Sequence, residues 1–360
     1  MTDLHSPLTF ARGPALKNRF MLAPLTNMQS HADGTLSDDE FKWLTKRAEG
    51  GFGVTMTCAA HVQAKGQGFP GQLGIWDDKH LPGLTRLAAA LNKTGTHSVV
   101  QLHHAGMRSS ADLIGEAPHC PSANDEFSAR AMSLDEVKAS RDAFIAAAVR
   151  AEKAGFHGVE LHGAHGYLIC QFLSAEVNKR TDEYGGSFEN RTRFLYECIE
   201  GVRASCGKDF SLGVRLSPER FGMDLGEIIG LAGALLKDER IDYLDMSLWD
   251  CFKPPVGAEG KTLVELFGAL PRGKCRLGAA GKITSGAACQ QALDAGLDFV
   301  VIGRSAILHH DFPEKVAANA AFEPIALPVS ESHLVAEGLG PAFIAYMKTW
   351  KTFVAEPAET

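Results

Sequence analysis

His162-Gly163-Ala164-His165-Gly166-Tyr167-Leu168-Ile169-Cys170-Gln171-Phe172-Leu173-Ser174 follows directly on Phe156-His157-Gly158-Val159-Glu160-Leu161. The upstream run is short, apolar and preceded by Gly155, which reads as a buried strand ending where His162 begins. Two imidazoles and a phenol thus stand within six residues at a strand's C-terminal end, the place where α/β barrels carry their chemistry. These side chains are donors and proton carriers. Taken alone, the stretch also fits a tight turn with two surface histidines and a packing tyrosine. His162 and His165 as metal ligands are a weak signal, because an i, i+3 pair without Cys lacks the helix that orients an HExxH pair.

The flanking chain alternates strand and helix. Arg19 to Pro24 reads as a first strand, and Ser37 with Glu40 as a capping box opening a helix closed by Gly50-Gly51. A second strand at 53–57, a helix from Leu81 to Lys93 and a third strand from His97 to Leu102 follow. Residues 103–132 are rich in Gly, Pro and polar side chains, long for a connection, and suggest a functional loop or lid. Ser133 with Glu136 caps a helix whose apolar positions, Val137, Phe144, Ile145, Ala148 and Val149, share one face. Strand four delivers His162, and an insertion follows at 163–186.

Beyond it, Ser187 opens a helix, Phe210 to Leu216 is strand five, Leu225 to Leu236 a helix, Ile241 to Ser247 strand six, Leu263 to Leu270 a helix and Lys274 to Leu277 strand seven. Thr284 is placed as the cap of a helix ending near Gly296, before strand eight at Asp298 to Ile302. Eight strand–helix units without a linker predict one (β/α)8 TIM barrel over about 18–315 as a single domain of residues 1–360, with a tail at about 316–360. In the tail, Phe343, Tyr346, Met347, Trp350 and Phe353 are spaced as a helix packed on the barrel. An open doubly wound sheet needs a glycine-rich turn after its first strand, and Ala23-Pro24-Leu25-Thr26 is not one.

Composition agrees with a globular chain: 360 residues, 45% hydrophobic, 22% charged. A net charge of -7 without a basic cluster argues against nucleic acid as a partner. Eighteen apolar residues never run together and the N-terminus lacks a signal-peptide pattern, so no membrane partner and a cytoplasmic location are expected. Cys58, Cys120, Cys170, Cys198, Cys206, Cys251, Cys275 and Cys289 are scattered without CxxC spacing and read as reduced thiols.

At the strand ends stand Thr26, Ala59, Gln101, His162, Arg215, Gly281 and Gly303-Arg304. Arg215 lies in an otherwise apolar strand and needs either a barrel carboxylate such as Glu160 or an anionic ligand. Gly281-Lys282 and Gly303-Arg304 follow the last two strands, where this fold often cradles phosphate. An elongated phosphorylated cofactor fits between. Trp249 and Asp250, after strand six, are candidates for the pocket wall.

With these residues in view, the stretch from His162 through Asn178-Lys179-Arg180 to Asn190-Arg191 strongly resembles the old yellow enzyme family of FMN-dependent ene-reductases. Lys17-Asn18-Arg19, Ala23 to Thr26, Gln101-Leu102-His103-His104-Ala105-Gly106, Pro121-Ser122-Ala123 and Gly303-Arg304 match as well, so the likeness runs from residue 4 to about 315. The resemblance implies FMN as cofactor and NADPH or NADH as reductant. It implies an α,β-unsaturated carbonyl or nitro compound as acceptor, reduced in a ping-pong cycle.

Ala23, Pro24, Leu25, Thr26 and Ala59 would line the isoalloxazine and Gln101 its pyrimidine edge. Arg215 would face the edge that becomes negative on reduction, and Gly281, Lys282, Gly303 and Arg304 would hold the phosphate. His162 and His165 would donate to the acceptor oxygen, and Tyr167 would protonate the α-carbon. Gly106-Met107-Arg108 and the loop to Met132 depart from the commonest family pattern, which bears on substrate range. Two other readings remain at this stage: a metal-dependent barrel hydrolase using His103, His104, His162 and His165, and a non-catalytic flavin-binding module.

Overall fold

The computed structural model describes residues 3–356. Eight parallel strands close on themselves: β1 (Phe20–Leu22), β2 (Val54–His61), β3 (His97–His103), β4 (Gly158–Gly163), β5 (Ser211–Leu216), β6 (Tyr243–Ser247), β7 (Arg276–Ala280) and β8 (Phe299–Ile302). Each pairs with the next in sequence, and the ring shuts where Phe20 of β1 lies beside Val300 of β8. The strands of β1 to β5 are buried at every position, as parallel strands covered on both faces must be. This is the TIM barrel that the alternation of strand and helix predicts. Strand seven sits later than expected, at 276–280, and β1 has only three residues.

The helix caps test the sequence reading locally. Ser133 Oγ accepts from the Glu136 N–H while the Glu136 carboxylate accepts from the Ser133 N–H, a complete capping box. At Ser37 only half of the expected box forms: its Oγ accepts from the Glu40 N–H, but the Glu40 carboxyl turns inward to Asn27, Ser30 and Cys58. Burial pushes that carboxyl above its ordinary range. The helix assigned to a Thr284 cap instead starts on Ser285, whose Oγ accepts from the Ala288 N–H. The tail carries two short helices, Glu331–Ala336 and Pro341–Lys348, and the second packs as expected, with the Phe343 ring 4.8 Å from Trp43 of the first helix, whereas Trp350 and Phe353 lie beyond its end. No helix among the described residues is long and apolar enough to cross a membrane.

The two long connections hold each other at the C-terminal mouth. Residues 103–132 contain a 3-10 turn at Gly106–Arg108, a helical turn at Ala111–Ile114 and a two-residue ladder between His119–Cys120 and Arg130–Ala131. The insertion after β4 contains a helix, Leu168–Leu173. Arg180 donates to the carbonyls of Pro121 and Met132, and Asn178 donates to those of Phe172 and Tyr184. Gln171 donates to Ala105 and Gly166, tying the turn after β3 to the turn after β4.

Inside the barrel the lower layer is apolar. An antiparallel bridge between Leu8 and Leu16 seats those residues and Phe10 against Met21, Val54, Val99, Tyr243 and Phe299, closing the end where the strands begin. The Phe10 ring stacks on Tyr243 with centroids 4.9 Å apart. Tyr243 can lie across the barrel because its β5 neighbour is Gly213, where a Cβ would fall 2.1 Å from the ring's Cζ. Gly213→Ala is therefore expected to lower the unfolding free energy by about 1–3 kcal/mol, measured by urea denaturation. An unchanged midpoint would mean that the tyrosine ring moves aside freely.

Candidate active site

Above the apolar layer the register brings the polar strand ends together. His162 on β4 pairs in register with Arg215 on β5, and Arg215 with Asp245 on β6. His165 takes a left-handed backbone, φ 60°, with its N–H donating to Ser217 Oγ at 3.0 Å. That bend turns its ring back toward the barrel. His162 Nε2 lies 2.9 Å from His165 Nδ1, and His165 Nε2 lies 2.7 Å from Ser247 Oγ. Arg215 Nη2 donates to the same hydroxyl at 3.4 Å, so Arg215, Ser247, His165 and His162 form one chain of contacts. Beside it the Tyr167 ring centre is 5.0 Å from that of His162.

His103, at the end of β3, completes the group. It meets Tyr167 edge to face at 4.3 Å and lies 5.3 Å from His162, ring centre to ring centre. All three imidazoles are neutral near neutral pH. Burial, reinforced by neighbouring imidazoles and arginines, pushes His103 down to about 3 and His162 well below its ordinary value. Burial and then Arg215 and Arg108 push His165 down to about 3. Neutral rings leave N–H donors in the site without adding positive charge to it.

Beneath them Gln101 Nε2 donates to Glu160 Oε1 at 2.8 Å, and Arg215 Nε approaches Asp245 Oδ2 at 3.1 Å as an ion pair without hydrogen-bond alignment. The arginine's carboxylate partner is thus Asp245, not the Glu160 that its strand neighbourhood suggested. Both carboxyls are completely buried around a single guanidinium. Burial and then the charge of Asp245 raise Glu160, while burial raises Asp245 against the pull of Arg215. Asp245 is the partner of the cation, so Glu160 holds the proton. Gln101 Oε1 and His162 Nδ1 are buried without a hydrogen-bond partner among the described residues. Unpaired buried polar atoms are costly, and a flat heteroaromatic ring edged with N–H and carbonyl groups supplies such partners.

At the other side of the mouth, Gly281, Lys282, Gly303, Arg304, Trp249 and Trp350 line a cavity of about 380 Å³. The four residues expected to cradle phosphate therefore do converge. Lys282, however, is paired with Asp250, Nζ to Oδ2 3.0 Å, so only Arg304 is a cation without an ion pair among the described residues of this cavity. A Cβ on Gly303 would meet nothing nearer than Leu25 Cδ2 at 3.6 Å and Ala23 Cβ at 3.8 Å. Protein packing does not demand a glycine there.

The chain matches the model of the NADH:flavin oxidoreductase / NADH oxidase family over residues 3–323. It belongs to this family, the old yellow enzymes. It is similar to a probable NADH-dependent flavin oxidoreductase, YqiG, of Bacillus subtilis, 36% identical over 326 residues covering 87% of each chain. In structure it is similar to an old yellow enzyme homologue from Zymomonas mobilis, with TM-score 0.80, 29% identity, and 92% of this chain and 96% of that one covered. A morphinone reductase in complex with tetrahydroNAD gives TM-score 0.78 at 29% identity, covering 93% and 94%. The protein is accordingly an NAD(P)H-dependent flavin oxidoreductase with FMN as cofactor.

As an old yellow enzyme the chain has its expected strand-end residues in one mouth: Thr26, half-buried, and Ala59, buried, stand at the ends of β1 and β2, and Ala59 pairs in register with Gln101. Pro24 is half-buried between Ala23 and Leu25. The four histidines of the metal-hydrolase alternative do not converge their ligand atoms; the one such cluster among the described residues is His309, His333 and Glu337, elsewhere in the fold. Sequence reading passed over Gln72, Ser247 and Asp245 as site residues and took Trp350 for packing alone. Only the polar Asp245 and Ser247 at alternate positions of a buried strand could have been suspected.

The three depressed imidazoles set a pH dependence. In the unfolded chain each takes up a proton near 6.5 that the folded site refuses, so stability present above that pH is lost as pH falls below it. Between pH 7 and pH 5 the unfolding free energy is expected to fall by up to about 1.4 kcal/mol per pH unit for each imidazole. Denaturation curves at successive pH values measure this, and a flat profile would contradict the neutral cluster.

Proposed function

We propose that this flavoenzyme reduces the C=C bond of α,β-unsaturated carbonyl or nitro compounds, with Tyr167 as the acid. The observation that carries the reading is the run Arg215–Ser247–His165–His162 with Tyr167 alongside. Two imidazoles that would donate to an acceptor oxygen and a phenol that would give a proton to carbon thus lie side by side in one buried cluster. FMN, when bound, would supply the hydride-transfer chemistry between NAD(P)H and the acceptor.

The residues' parts follow from their chemistry. His162 Nε2 and His165 Nδ1 contact each other at 2.9 Å, so one of these nitrogens donates and the other accepts; an acceptor oxygen would take over that contact and receive a hydrogen bond from each ring once the accepting ring has its proton on the nitrogen facing the oxygen. Polarising the oxygen draws electron density from the distant alkene carbon. Tyr167, largely buried, then gives its phenolic proton to the carbon next to the carbonyl or nitro group. Arg215, anchored by Asp245, would hold the edge of the flavin ring and supply positive charge to it. Ala23, Pro24, Leu25, Thr26, Ala59 and Gln101 would hold the ring, and Gly281, Gly303 and Arg304 the phosphate. Lys282 would act there only by leaving Asp250.

Purified protein is expected to carry flavin absorbance and to oxidise NADPH or NADH on addition of 2-cyclohexen-1-one. In stopped-flow measurements Tyr167→Phe should slow reoxidation of the reduced enzyme by the enone about 10²-fold or more, with reduction by NAD(P)H largely retained. Equal slowing of both halves would remove the acid role.

A further inference from the structure

We propose that Arg108, which reaches from the turn after β3 to the His165 carbonyl, acts with the imidazole of His103 as the positioning pair that lets Tyr167 release its proton. The inference rests on the reading of Tyr167 as acid and extends it by naming what stabilises the phenolate left behind.

That phenolate is the difficulty. Burial raises the Tyr167 phenol above its ordinary value, which opposes the proton transfer asked of it, and the Arg108 charge acts in the opposite sense. The Arg108 guanidinium lies 5.0 Å from the centre of the Tyr167 ring, and its Nη1–H donates to the His165 carbonyl. Arg108 ends the Gly106–Arg108 turn, whose position is fixed from below: the Met107 N–H donates to Gln171 Oε1 at 3.2 Å, and Gln171 Nε2 donates to Ala105 and Gly166. The cation therefore rides on the same clamp as Tyr167.

On the other side stands His103, and its tautomer is determined. Gln72 Oε1 accepts from the Gly68 N–H at 2.7 Å, so Gln72 Nε2 is the donor to the Ala59 carbonyl at 2.8 Å and to His103 Nδ1 at 3.0 Å. His103 Nδ1 is then an acceptor and its proton sits on Nε2, a buried atom without a partner among the described residues. The ring meets Tyr167 edge to face.

When the Tyr167 O–H breaks and the new C–H bond forms, the pair of electrons that closes that bond comes from the substrate carbanion, and the negative charge moves to the phenolate and into its ring. A guanidinium and an N–H dipole beside the ring both gain from this. The phenolate regains its proton from water before the next turnover. The groups facing Tyr167 are His103, His162, His165 and Arg108 on the mouth and Tyr346 from the tail helix, the last opposing phenolate formation.

The test uses holoenzyme labelled with [13Cζ]tyrosine. The chain has five tyrosines, so the Tyr167 resonance is assigned by its loss in Tyr167→Phe. Arg108→Leu is expected to move the Tyr167 titration upward and to slow reoxidation by 2-cyclohexen-1-one about three- to tenfold, the effect shrinking at high salt because Arg108 is exposed. Arg108→Lys should recover most of both, and His103→Phe, which keeps the ring contact and loses the N–H, should shift the titration in the same direction by less. An unmoved titration in Arg108→Leu, or Arg108→Lys matching Arg108→Leu, would overturn the proposal. If Tyr167→Phe leaves enone reduction intact while Arg108→Leu still shifts the titration, it is the acid role that fails, and the proposal falls with it.

Discussion

A guanidinium cannot be taken into a barrel interior without partners, and the placement of Arg215 organises the polar half of this molecule. Desolvation is offset by Asp245 one strand away and by Ser247 above it. Glu160, within the same buried layer, is surplus to that pairing and keeps its proton. The result is a barrel with two interiors. The end where the strands begin is filled by Leu8, Phe10, Leu16, Tyr243 and Phe299, and the opposite end holds carboxyls, an amide, imidazoles and one cation. Gln101 Oε1 and His162 Nδ1, without partners among the described residues, lie at the second end.

The chemistry of such a mouth depends on loops that do not drift. Here side chains perform that restraint by reaching for backbone carbonyls. Asn178 and Arg180 stitch the insertion after β4 to the long connection after β3, and Gln171 ties both to the turn carrying His165 and Tyr167. Several residues of the long motif thus serve geometry rather than catalysis. Main-chain acceptors are well suited to this, since their positions follow from the fold and leave the side chains facing the pocket free.

A cluster of three imidazoles around one phenol would repel protons strongly if it were exposed to a single shared titration, and burial makes that repulsion permanent by keeping the rings neutral. Around the imidazole cluster the described residues bring positive charge from Arg215 beneath and Arg108 above. The donors between them polarise without competing for protons.

Much of this was legible in the chain. Hydrophobic runs of strand length alternating with helical periods determine a barrel, because a parallel sheet needs both faces covered. The strand ends are read by counting, so His162, Gln101, Arg215, Gly281 and Gly303 could be assigned to one mouth. The pairing of those side chains was not legible. Arg215 takes Asp245 rather than Glu160 because register decides which carboxylate lies alongside, and Lys282 turns to Asp250 because a loop brings it there. Glu40 leaves its helix cap for a buried site, Gln72 sets the tautomer of His103, and Trp350 reaches the cavity beside Gly303 and Arg304 from the tail. Periodicity specifies which face a residue takes. Which neighbour it finds there depends on strand register and loop path, which only the closed structure defines.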